Sequence, residues 1–281
     1  MASNKFGLTS LHKQFPTEDK CLDFIFLTGH TKECSCGGEY RKISGRKQYQ
    51  CSKCRFQIAP LANTIFHKSD TPLTIWFHAI MVFSNAKSGI SAKQMQRELE
   101  VTYKTAWRML KLIREALGDT GGKLSGDVEM DTGYIGGVAP VGRRMKNKTT
   151  VMAAIERGGR MKAAVVPDAS AEAHKAFLEL NVETEGTRLF TDHALHYRKS
   201  AKQYDRHIIN HSKGYVRGDV HINHVENFWS HVKRSITGTH KNVSSRHLQS
   251  YLDGFVWHWN NRDSDSERFF DLLGALLRPG V

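Results

Sequence analysis

The chain has 281 residues, 40% of them hydrophobic, which is enough for one large hydrophobic core and a smaller appended unit. It has no apolar run near the roughly 20 residues of a membrane-spanning helix and no apolar centre of a signal peptide, which predicts a cytoplasmic protein without membrane association. The formal net charge of +13 favours a polyanionic partner, because Lys and Arg replace the counterions of nucleic-acid phosphates, although a merely basic surface is the alternative.

The first predicted elements are a short helix within residues 18–33 and a β-hairpin that follows it. The stretch GEYRKISGRKQYQC alternates in the manner of paired strands, and Ser44 and Gly45 supply the turn.

Two close cysteine pairs enclose this hairpin. A cytosolic protein seldom forms disulfides, and two thiol pairs joined by a hairpin are typical of a structural Zn2+ site. The predicted zinc ligands are Cys34, Cys36, Cys51 and Cys54. The C-x-C spacing of the first pair is tighter than the usual C-x2-C. The alternative is a zinc site in which His30 replaces Cys34 or Cys36 as a ligand. Cysteines that are merely buried are the other interpretation, and the remaining Cys21 is expected to be packed.

A buried helix and then a helix-turn-helix are predicted next. Thr71 is a candidate N-cap, with Pro72 at the first helical position. Ser91 and Thr102 are predicted to cap two further helices, the second of which runs from Tyr103 to Leu117. Its candidate DNA contacts are Lys104, Thr105, Arg108 and Lys111, which lie on one side of this helix, while its apolar residues repeat on another.

The charge distribution supports DNA binding by this part. Residues 1–125 hold 19 Lys and Arg against 10 Asp and Glu, whereas residues 126–281 hold 22 against 18. An amphipathic hairpin that only packs against the rest of the protein is the alternative. The Gly-rich stretch 118–126 is the clearest linker.

The second half changes to strands. The predicted order is three apolar strands, a helix, a strand, a helix, a strand and then helices. This is the order of an RNase H-like α/β fold. In such a fold, carboxylates from the first strand, the end of the fourth strand and a late helix converge, as two-metal phosphoryl transfer requires.

Candidate carboxylates exist at each of these three points. Asp131 lies inside the first strand, and Glu129, two residues earlier on the same face, is its rival. Asp192 ends the strand TRLFTD, although a strand-ending Asp is often only a helix cap. In the late helix, Glu226 falls at the edge of the apolar stripe, beside Asn223 and Lys233. Helix geometry alone does not separate a metal ligand from a surface residue there.

The sequence also resembles a known family, the DDE transposases of bacterial insertion sequences in the zinc-ribbon group related to Merlin transposons. The resemblance covers nearly the whole chain and includes the cysteine ribbon, KSGISAKQMQRELEVTYKTAWRMLKLIREAL, VEMDTGYIGG and LFTD. Its longest part is NHSKGYVRGDVHINHVENFWSHVKRSITGTHKNVSSRHLQSYLDGFVWHWNNR.

The resemblance implies specific roles. Asp131, Asp192 and Glu226 correspond to the catalytic triad that binds Mg2+ or Mn2+, and Lys233 corresponds to a basic residue two helical turns after the last acid. His221 and Asn223 are expected to position Glu226 or DNA. Two departures are visible: Thr132 and Gly133 follow the first acid, where the family usually has Glu, and the first cysteine knuckle lacks its usual proline.

These observations predict a helix and zinc ribbon over residues 1–60, a helix-turn-helix region over 61–122 and an RNase H-like catalytic domain over 123–281. The predicted function is a transposase that binds the inverted repeats of its element as a homo-oligomer on double-stranded DNA, then cleaves and transfers the strand. A DNA-binding regulator with an inactive domain is one alternative. A histidine-ligated metallohydrolase that depends on His221 or His224 is another.

Overall fold

The computed structural model describes residues 6–118, 121–136, 148–210, 218–264 and 267–277. The chain divides into two compact units. The first contains Met1–Ala86, Ile90–Leu117 and Asp263–Val281, and the second contains Lys87–Gly89 and Gly118–Arg262. The domain boundaries at residues 60 and 122 stay predictions. Across the described ranges, no helix is long and apolar enough to cross a membrane.

The helices and strands have the following bounds. The helices are α1 (Leu8–Gln14), α2 (Glu18–Gly29), α3 (Leu73–Asn85), α4 (Ala92–Leu99), α5 (Tyr103–Glu115), α6 (Ala171–Asn181), α7 (Tyr197–Ser200), α8 (Asn223–Ser235), α9 (Ser245–Asn260) and α10 (Arg268–Leu276), with a π-helical turn at Ile236–His240 after α8. The strands are β1 (Tyr40–Lys42), β2 (Tyr49–Cys51), β3 (Gln57–Ile58), β4 (Asp127–Gly136), β5 (Lys148–Glu156), β6 (Met161–Val165), β7 (Arg188–Asp192) and β8 (Asp205–Ile209).

The first unit is organised around α3, the most apolar helix of its core. Trp76, Phe77 and Ile80 are completely buried, and α3 contacts α1, α2, α4, α5 and α10. A helix that is apolar on most of its surface must be covered on most sides, which explains its central position. Its start differs from the prediction, because Pro72 has an extended ψ of 141° and lies before the first helical residue rather than within the helix.

The helix pair α4 and α5 follows the predicted caps. The Ser91 hydroxyl accepts the Gln94 N–H at 3.1 Å, and the Thr102 hydroxyl accepts the Thr105 N–H at 3.2 Å. Glu100 turns the chain between the helices with a positive φ of 54°. These caps stabilise the otherwise unpaired amides at each helix start and fix where the two helices begin.

The second unit contains a five-stranded mixed sheet in the order β6-β5-β4-β7-β8. Strand β5 is antiparallel to both neighbours, whereas β4 is parallel to β7, and β7 is parallel to β8. The α/β class and the predicted sequence of strands and helices are confirmed. The long strand β4, which carries Asp131, is therefore the centre of the sheet.

The two faces of β4 are buried by different layers. Val128 and Met130 point to a core that also contains Phe177 and Leu178 of α6. The alternate residues of β4 point to the opposite face, whose core includes Val225, Phe228, Trp229 and Val232 of α8 and Leu252 of α9. Side chains alternate across a strand, so Glu129 and Asp131 share the face that α8 covers.

Three features were not predicted from the sequence. Helix α1 was missed because a single one of its seven residues, Leu11, is buried, which leaves no apolar period to read. The two-residue strand β3 was also missed. The exposed edge of β6 is paired by side chains of α9, since Asn260 bonds the Met161 backbone at 2.8 and 3.1 Å and Gln249 accepts the Val165 N–H at 2.7 Å.

Candidate active site

Asp131 and Asp192 lie at matching levels of adjacent parallel strands. In the ladder between β4 and β7, Glu129 is opposite Phe190. Continuing this register by two residues brings Asp131 opposite Asp192, and neighbouring strands are about 4.8 Å apart. Asp192 ends β7, and its Oδ1 accepts the Ala194 N–H at 3.0 Å, which fixes the turn that follows. Both side chains are half-buried.

Glu226 approaches from α8. It lies in the first turn of this helix, one residue after the buried Val225, and its own side chain is half-buried. The predicted core stripe of α8 is buried as expected, and Glu226 is at its border with solvent, while Asn223 and Lys233 are exposed. Helix α8 packs against β4, the strand that carries Asp131.

The three carboxylates act on one another electrostatically. Burial raises the pKa of the Asp131 carboxyl to about 6, and the negative charges of Asp192 and Glu226 act in the same direction. The Thr132 backbone N–H and the Lys233 charge oppose this shift. Burial and nearby like charges both favour the neutral form of this carboxyl.

The spacing of the three carboxylates is wider than a single compact ligand shell. They are not among the groups whose ligand atoms all lie within 4.8 Å of one another, so at least one pair is farther apart than that. Carboxylate oxygens are the ligands that Mg2+ prefers.

Glu129, the sequence rival of Asp131, has other partners. Its carboxylate is completely buried. It accepts hydrogen bonds from Arg157 Nε at 2.9 Å and from His224 Nδ1 and backbone N–H, both at 2.8 Å. His221 Nδ1 is 3.1 Å from the same carboxylate. This group of Glu129, His221 and His224 is also compact enough to be considered for a metal ion.

A second buried group next to Asp131 escaped the sequence analysis. The Thr132 hydroxyl is 2.8 Å from Nε2 of the buried His174, whose ring stacks on His196 at 3.8 Å. Burial lowers the pKa of His174 to about 4, so this imidazole is neutral at neutral pH. Burial, followed by the charges of Asp131 and Asp192, raises the pKa of Tyr197. No spacing in the sequence signals this cluster, because its members come from three separate elements.

The four predicted cysteine ligands converge. Their sulfur atoms all lie within 4.8 Å of one another. Cys34 Sγ is 3.7 Å from Cys54 Sγ, and Cys36 Sγ is 3.4 Å from Cys51 Sγ. A tetrahedral Zn2+ site with bonds of about 2.3 Å has sulfur–sulfur edges of about 3.8 Å. The cysteines therefore fit a zinc ion.

Hydrogen bonds favour the thiolate at Cys34 and Cys51, whereas hydrogen bonds with Cys51 and Cys36 raise the pKa of Cys54 to about 12 against the opposing effect of the Phe56 backbone. The Cys36 backbone N–H and the Tyr40 hydroxyl lower the pKa of Cys34 to about 6. The Cys54 backbone N–H similarly lowers the pKa of Cys51. Gly38 has no room for a side chain, because an added Cβ would lie 2.7 Å from Cys51 Sγ. Outside the cluster, the His30 ring stacks on Phe26, and Cys21 is packed in the core.

The candidate DNA-contact residues of α5 differ in exposure. Lys104 and Arg108 are exposed on one side, while Ala106, Leu110 and Ile113 are buried on the other. Lys111 is half-buried and 3.5 Å from Glu115. The Thr105 hydroxyl is 2.9 Å from that of Thr102, so it belongs to the cap. The structure thus leaves Lys104 and Arg108 as the most accessible cations of this set.

Comparison with known proteins finds similarity to proteins of mobile elements. Residues 123–260 match the family model described as the ISXO2-like transposase domain. The chain is 26% identical over 238 residues to an uncharacterized protein in the transposable element ISH50 of Halobacterium salinarum, which covers 78% of this chain and 79% of the relative. It is 29% identical over 73 residues to an uncharacterized transposase-like protein of Haemophilus influenzae, which covers 26% of this chain and 57% of that protein.

One solved structure with a detectable likeness is the crystal structure of a pre-cleavage Mos1 transpososome. The identity is 12%, the TM-score is 0.28, and the match covers 73% of this chain and 80% of the other. A TM-score of this size does not establish a common fold.

Proposed function

We propose that this chain, which belongs to the DDE transposases of insertion sequences and carries an ISXO2-like transposase domain at residues 123–260, cleaves the ends of its element and transfers them to target DNA. The single observation that carries the catalytic part is the placement of Asp131 on β4, Asp192 at the end of the adjacent parallel strand β7 and Glu226 on α8, which packs against β4. The raised pKa of Asp131, caused by burial and by the charges of Asp192 and Glu226, agrees with this placement. These three carboxylates are the proposed catalytic residues.

The second unit is proposed to be RNase H-like. Its support is the sheet order β6-β5-β4-β7-β8, in which β5 runs antiparallel to the other four strands. Further support is the placement of the three carboxylates on the central strand β4, at the end of its parallel neighbour β7 and on α8. Because β4 and β7 are parallel, their carboxyl-terminal halves reach the same edge of the sheet. That arrangement brings residues 61 positions apart in the chain to one end of two strands.

The proposed cofactor is Mg2+ or Mn2+, held by Asp131, Asp192 and Glu226. When bound, the ions supply a nucleophile from water and neutralise the charge that develops on the attacking and leaving oxygens. The carboxylates of this chain fit such cations, because hard oxygen ligands of like charge act on one another electrostatically in a half-buried site. The buried β4 strand and the packed face of α8 fix the directions from which Asp131 and Glu226 reach the substrate.

Lys233 is proposed to contact a phosphate near the cleaved bond. It is exposed on α8, two helical turns after Glu226, and its positive charge acts on Asp131. An ammonium group at this position attracts the DNA backbone and offsets part of the negative charge of the carboxylates. Asn223, in the first turn of the same helix, is exposed and is proposed to assist in positioning DNA.

The first unit is proposed to hold the terminal inverted repeats. Its support is the convergent cysteine cluster, proposed to bind Zn2+, and the helix pair α4–α5 with exposed Lys104 and Arg108. A zinc ribbon needs its metal in order to fold, so Zn2+ would maintain the DNA-binding surface rather than take part in cleavage. Two element ends must be joined in one reaction, which implies that at least two copies of the chain assemble on DNA.

Cleavage of labelled element-end DNA in Mg2+ or Mn2+ tests this function. The terminal inverted repeats that flank the gene supply the DNA. The wild-type protein is expected to nick and transfer the strand, whereas Asp131→Asn, Asp192→Asn and Glu226→Gln are expected to bind the same DNA without cutting it. Glu179→Gln is a matched control, because Glu179 is an exposed carboxylate of the same unit that pairs with Lys175 at 3.7 Å.

The outcomes of this experiment separate the candidate functions. Cleavage that persists in the three carboxylate variants contradicts the assignment of the catalytic residues. Specific binding by a wild-type protein that does not cut in either metal indicates a DNA-binding regulator with an inactive domain. Activity that survives Asp192→Asn and is lost in His221→Ala or His224→Ala indicates a histidine-ligated metal site instead.

A further inference from the structure

The buried carboxylate of Glu129 connects the central strand of the second unit to the start of α8. Its Oε2 accepts the backbone N–H groups of His224 at 2.8 Å and Val225 at 3.3 Å. These amides belong to the first turn of α8 and have no partner within the helix. The negative charge also interacts favourably with the positive end of the helix dipole. Glu129 therefore caps α8 from outside the helix, across 95 residues of sequence.

Arg157 completes this connection. Its Nε donates to Glu129 Oε1 at 2.9 Å, and its Nη2 donates to the His221 carbonyl at 2.8 Å, just before α8 begins. The guanidinium stacks over the ring of the buried Phe190 at 3.8 Å. The planar fork of an arginine is suited to holding two acceptors at fixed positions. The pair thus ties β4 both to the first amides of α8 and to the carbonyl that precedes the helix.

A bound metal ion is a poor explanation of this group. Glu129 Oε1 already contacts the cationic Arg157 Nε at 2.9 Å, the His224 Nδ1 at 2.8 Å and the His221 Nδ1 at 3.1 Å. A metal ligated by Oε1 and both imidazoles would have to displace the arginine or lie beside its positive charge. The arrangement agrees with a fully paired buried carboxylate, which is how buried charges are normally accommodated.

From this geometry we infer that Glu129 is a positioning residue that fixes the start of α8, and with it Glu226, relative to Asp131. Glu129 and Asp131 are two residues apart on the same face of β4, and Glu226 follows Val225 directly. The distance between the first and third carboxylates is thereby set through a short, rigid path: Asp131 to Glu129 along the strand, then Glu129 to the first turn of α8. The inference rests on the proposed function, in which these carboxylates hold divalent cations.

Mn2+ binding to the full-length protein tests this inference without DNA or turnover. The electron paramagnetic resonance signal of free Mn2+ measures how much of the ion is bound. Glu129→Gln is expected to weaken Mn2+ binding about tenfold or more, as substitutions of residues that support metal ligands do. Asp127→Asn is the matched control, because Asp127 lies on the same strand and its Oδ1 accepts a hydrogen bond from Arg188 Nε at 2.7 Å. Its affinity for Mn2+ is expected to stay within twofold of the wild-type value. Melting temperatures of all variants show whether the fold is kept.

A second variant covers the case in which Glu129→Gln does not fold. Arg157→Gln retains the carboxylate and its contacts with the backbone amides of α8 but removes the guanidinium. It is expected to weaken Mn2+ binding by a smaller factor in the same direction. Binding within twofold of the wild type in the folded Glu129 variant, or in the Arg157 variant when the former does not fold, would overturn the inference.

Other outcomes distinguish this inference from the proposed function. If the wild-type protein binds Mn2+ but does not cleave DNA, and Glu129→Gln weakens the Mn2+ binding, the positioning role stands and the proposed function fails. If the wild type cleaves DNA and Glu129→Gln binds Mn2+ as the wild type does, the proposed function stands and the positioning role fails. Zinc beyond one equivalent per chain, lost in His224→Ala and retained in Asp131→Asn, would identify a metal site at Glu129 and overturn the positioning role.

Discussion

Gly133 of β4 lies directly under the indole ring of Trp229 of α8. A Cβ added at Gly133 would be 3.0 Å from both Cδ2 and Cε2 of Trp229 and 3.2 Å from Val151 Cγ2. A side chain at this position would require Trp229 or Val151 to shift by a few tenths of an ångström, and both are buried in a filled core. The absence of a side chain at residue 133 is therefore what allows α8, which carries Glu226, to pack closely on the strand that carries Asp131.

Gly133→Val is expected to push α8 away from β4. Overpacking of a filled core costs about 1–3 kcal/mol of unfolding free energy, and cleavage should fall further than this loss of stability explains. Chemical denaturation combined with cleavage at a temperature where both proteins are folded measures the two effects. Gly122→Ala, where an added Cβ meets nothing within 4 Å, is the control and should leave both unchanged. Equal behaviour of the two variants would contradict this account of the packing.

Asp131→Asn is expected to stabilise the metal-free protein. The folded-state pKa of Asp131 is raised to about 6, above an unfolded value of about 3.9. The ionised carboxylate is therefore disfavoured in the folded state at pH 8, and this destabilisation disappears as the pH falls from about 6 towards 4. In EDTA, the melting temperature of the variant should be higher than that of the wild type at pH 8 and equal to it near pH 4.

Addition of Mg2+ or Mn2+ should reverse that order at pH 8. A cation bound between the carboxylates stabilises the wild-type fold by mass action, whereas the asparagine variant has lost a charged ligand. A rise in melting temperature of equal size in both proteins would argue against Asp131 as a metal ligand. Glu179→Gln, at an exposed carboxylate of the same unit, should respond to metal as the wild type does.

The first unit should contain one zinc ion per chain. Cys54→Ser is expected to lower the bound zinc and the melting temperature, because Cys54 Sγ is 3.7 Å from Cys34 Sγ in the convergent cluster and zinc-binding energy contributes to folding. Elemental analysis by mass spectrometry after dialysis measures the metal. Cys21→Ala is the matched control, since Cys21 is a buried cysteine of the same unit outside the cluster. Full zinc content in Cys54→Ser would rule out a four-cysteine site.

Lys104→Ala and Arg108→Ala are expected to weaken binding to element-end DNA. Both side chains are exposed cations of α5, and each phosphate contact that is lost should reduce the slope of log affinity against log salt by about one. Fluorescence anisotropy over a range of salt concentrations measures this slope. Lys175→Ala, which removes an exposed lysine of α6 paired with Glu179, should leave the slope unchanged. The same loss in all three variants would indicate a nonspecific effect of net charge.

Much of the fold was predictable because the signals are local. Ser91 and Thr102 precede their helices by one residue, and the buried stripe of α8 repeats at helical spacing, so neighbouring residues carry the information. The two cysteine pairs similarly indicate a metal cluster by their spacing alone. The start of α3 was placed one residue early because a proline is compatible with both the N-cap and the first helical position.

The sequence by itself determined the cysteine pairs, the order of strands and helices in the second unit, and the location of Glu226 at the edge of a core stripe, because each depends on residues close together in the chain. The tertiary structure decided which of the two acids of β4 is available. Glu129 is paired with Arg157 and with the first amides of α8, whereas the pKa of Asp131 is raised by burial and by the charges of Asp192 and Glu226. That distinction depends on partners from about 28 to 95 residues away, and only packing of the complete sheet and helix brings them together.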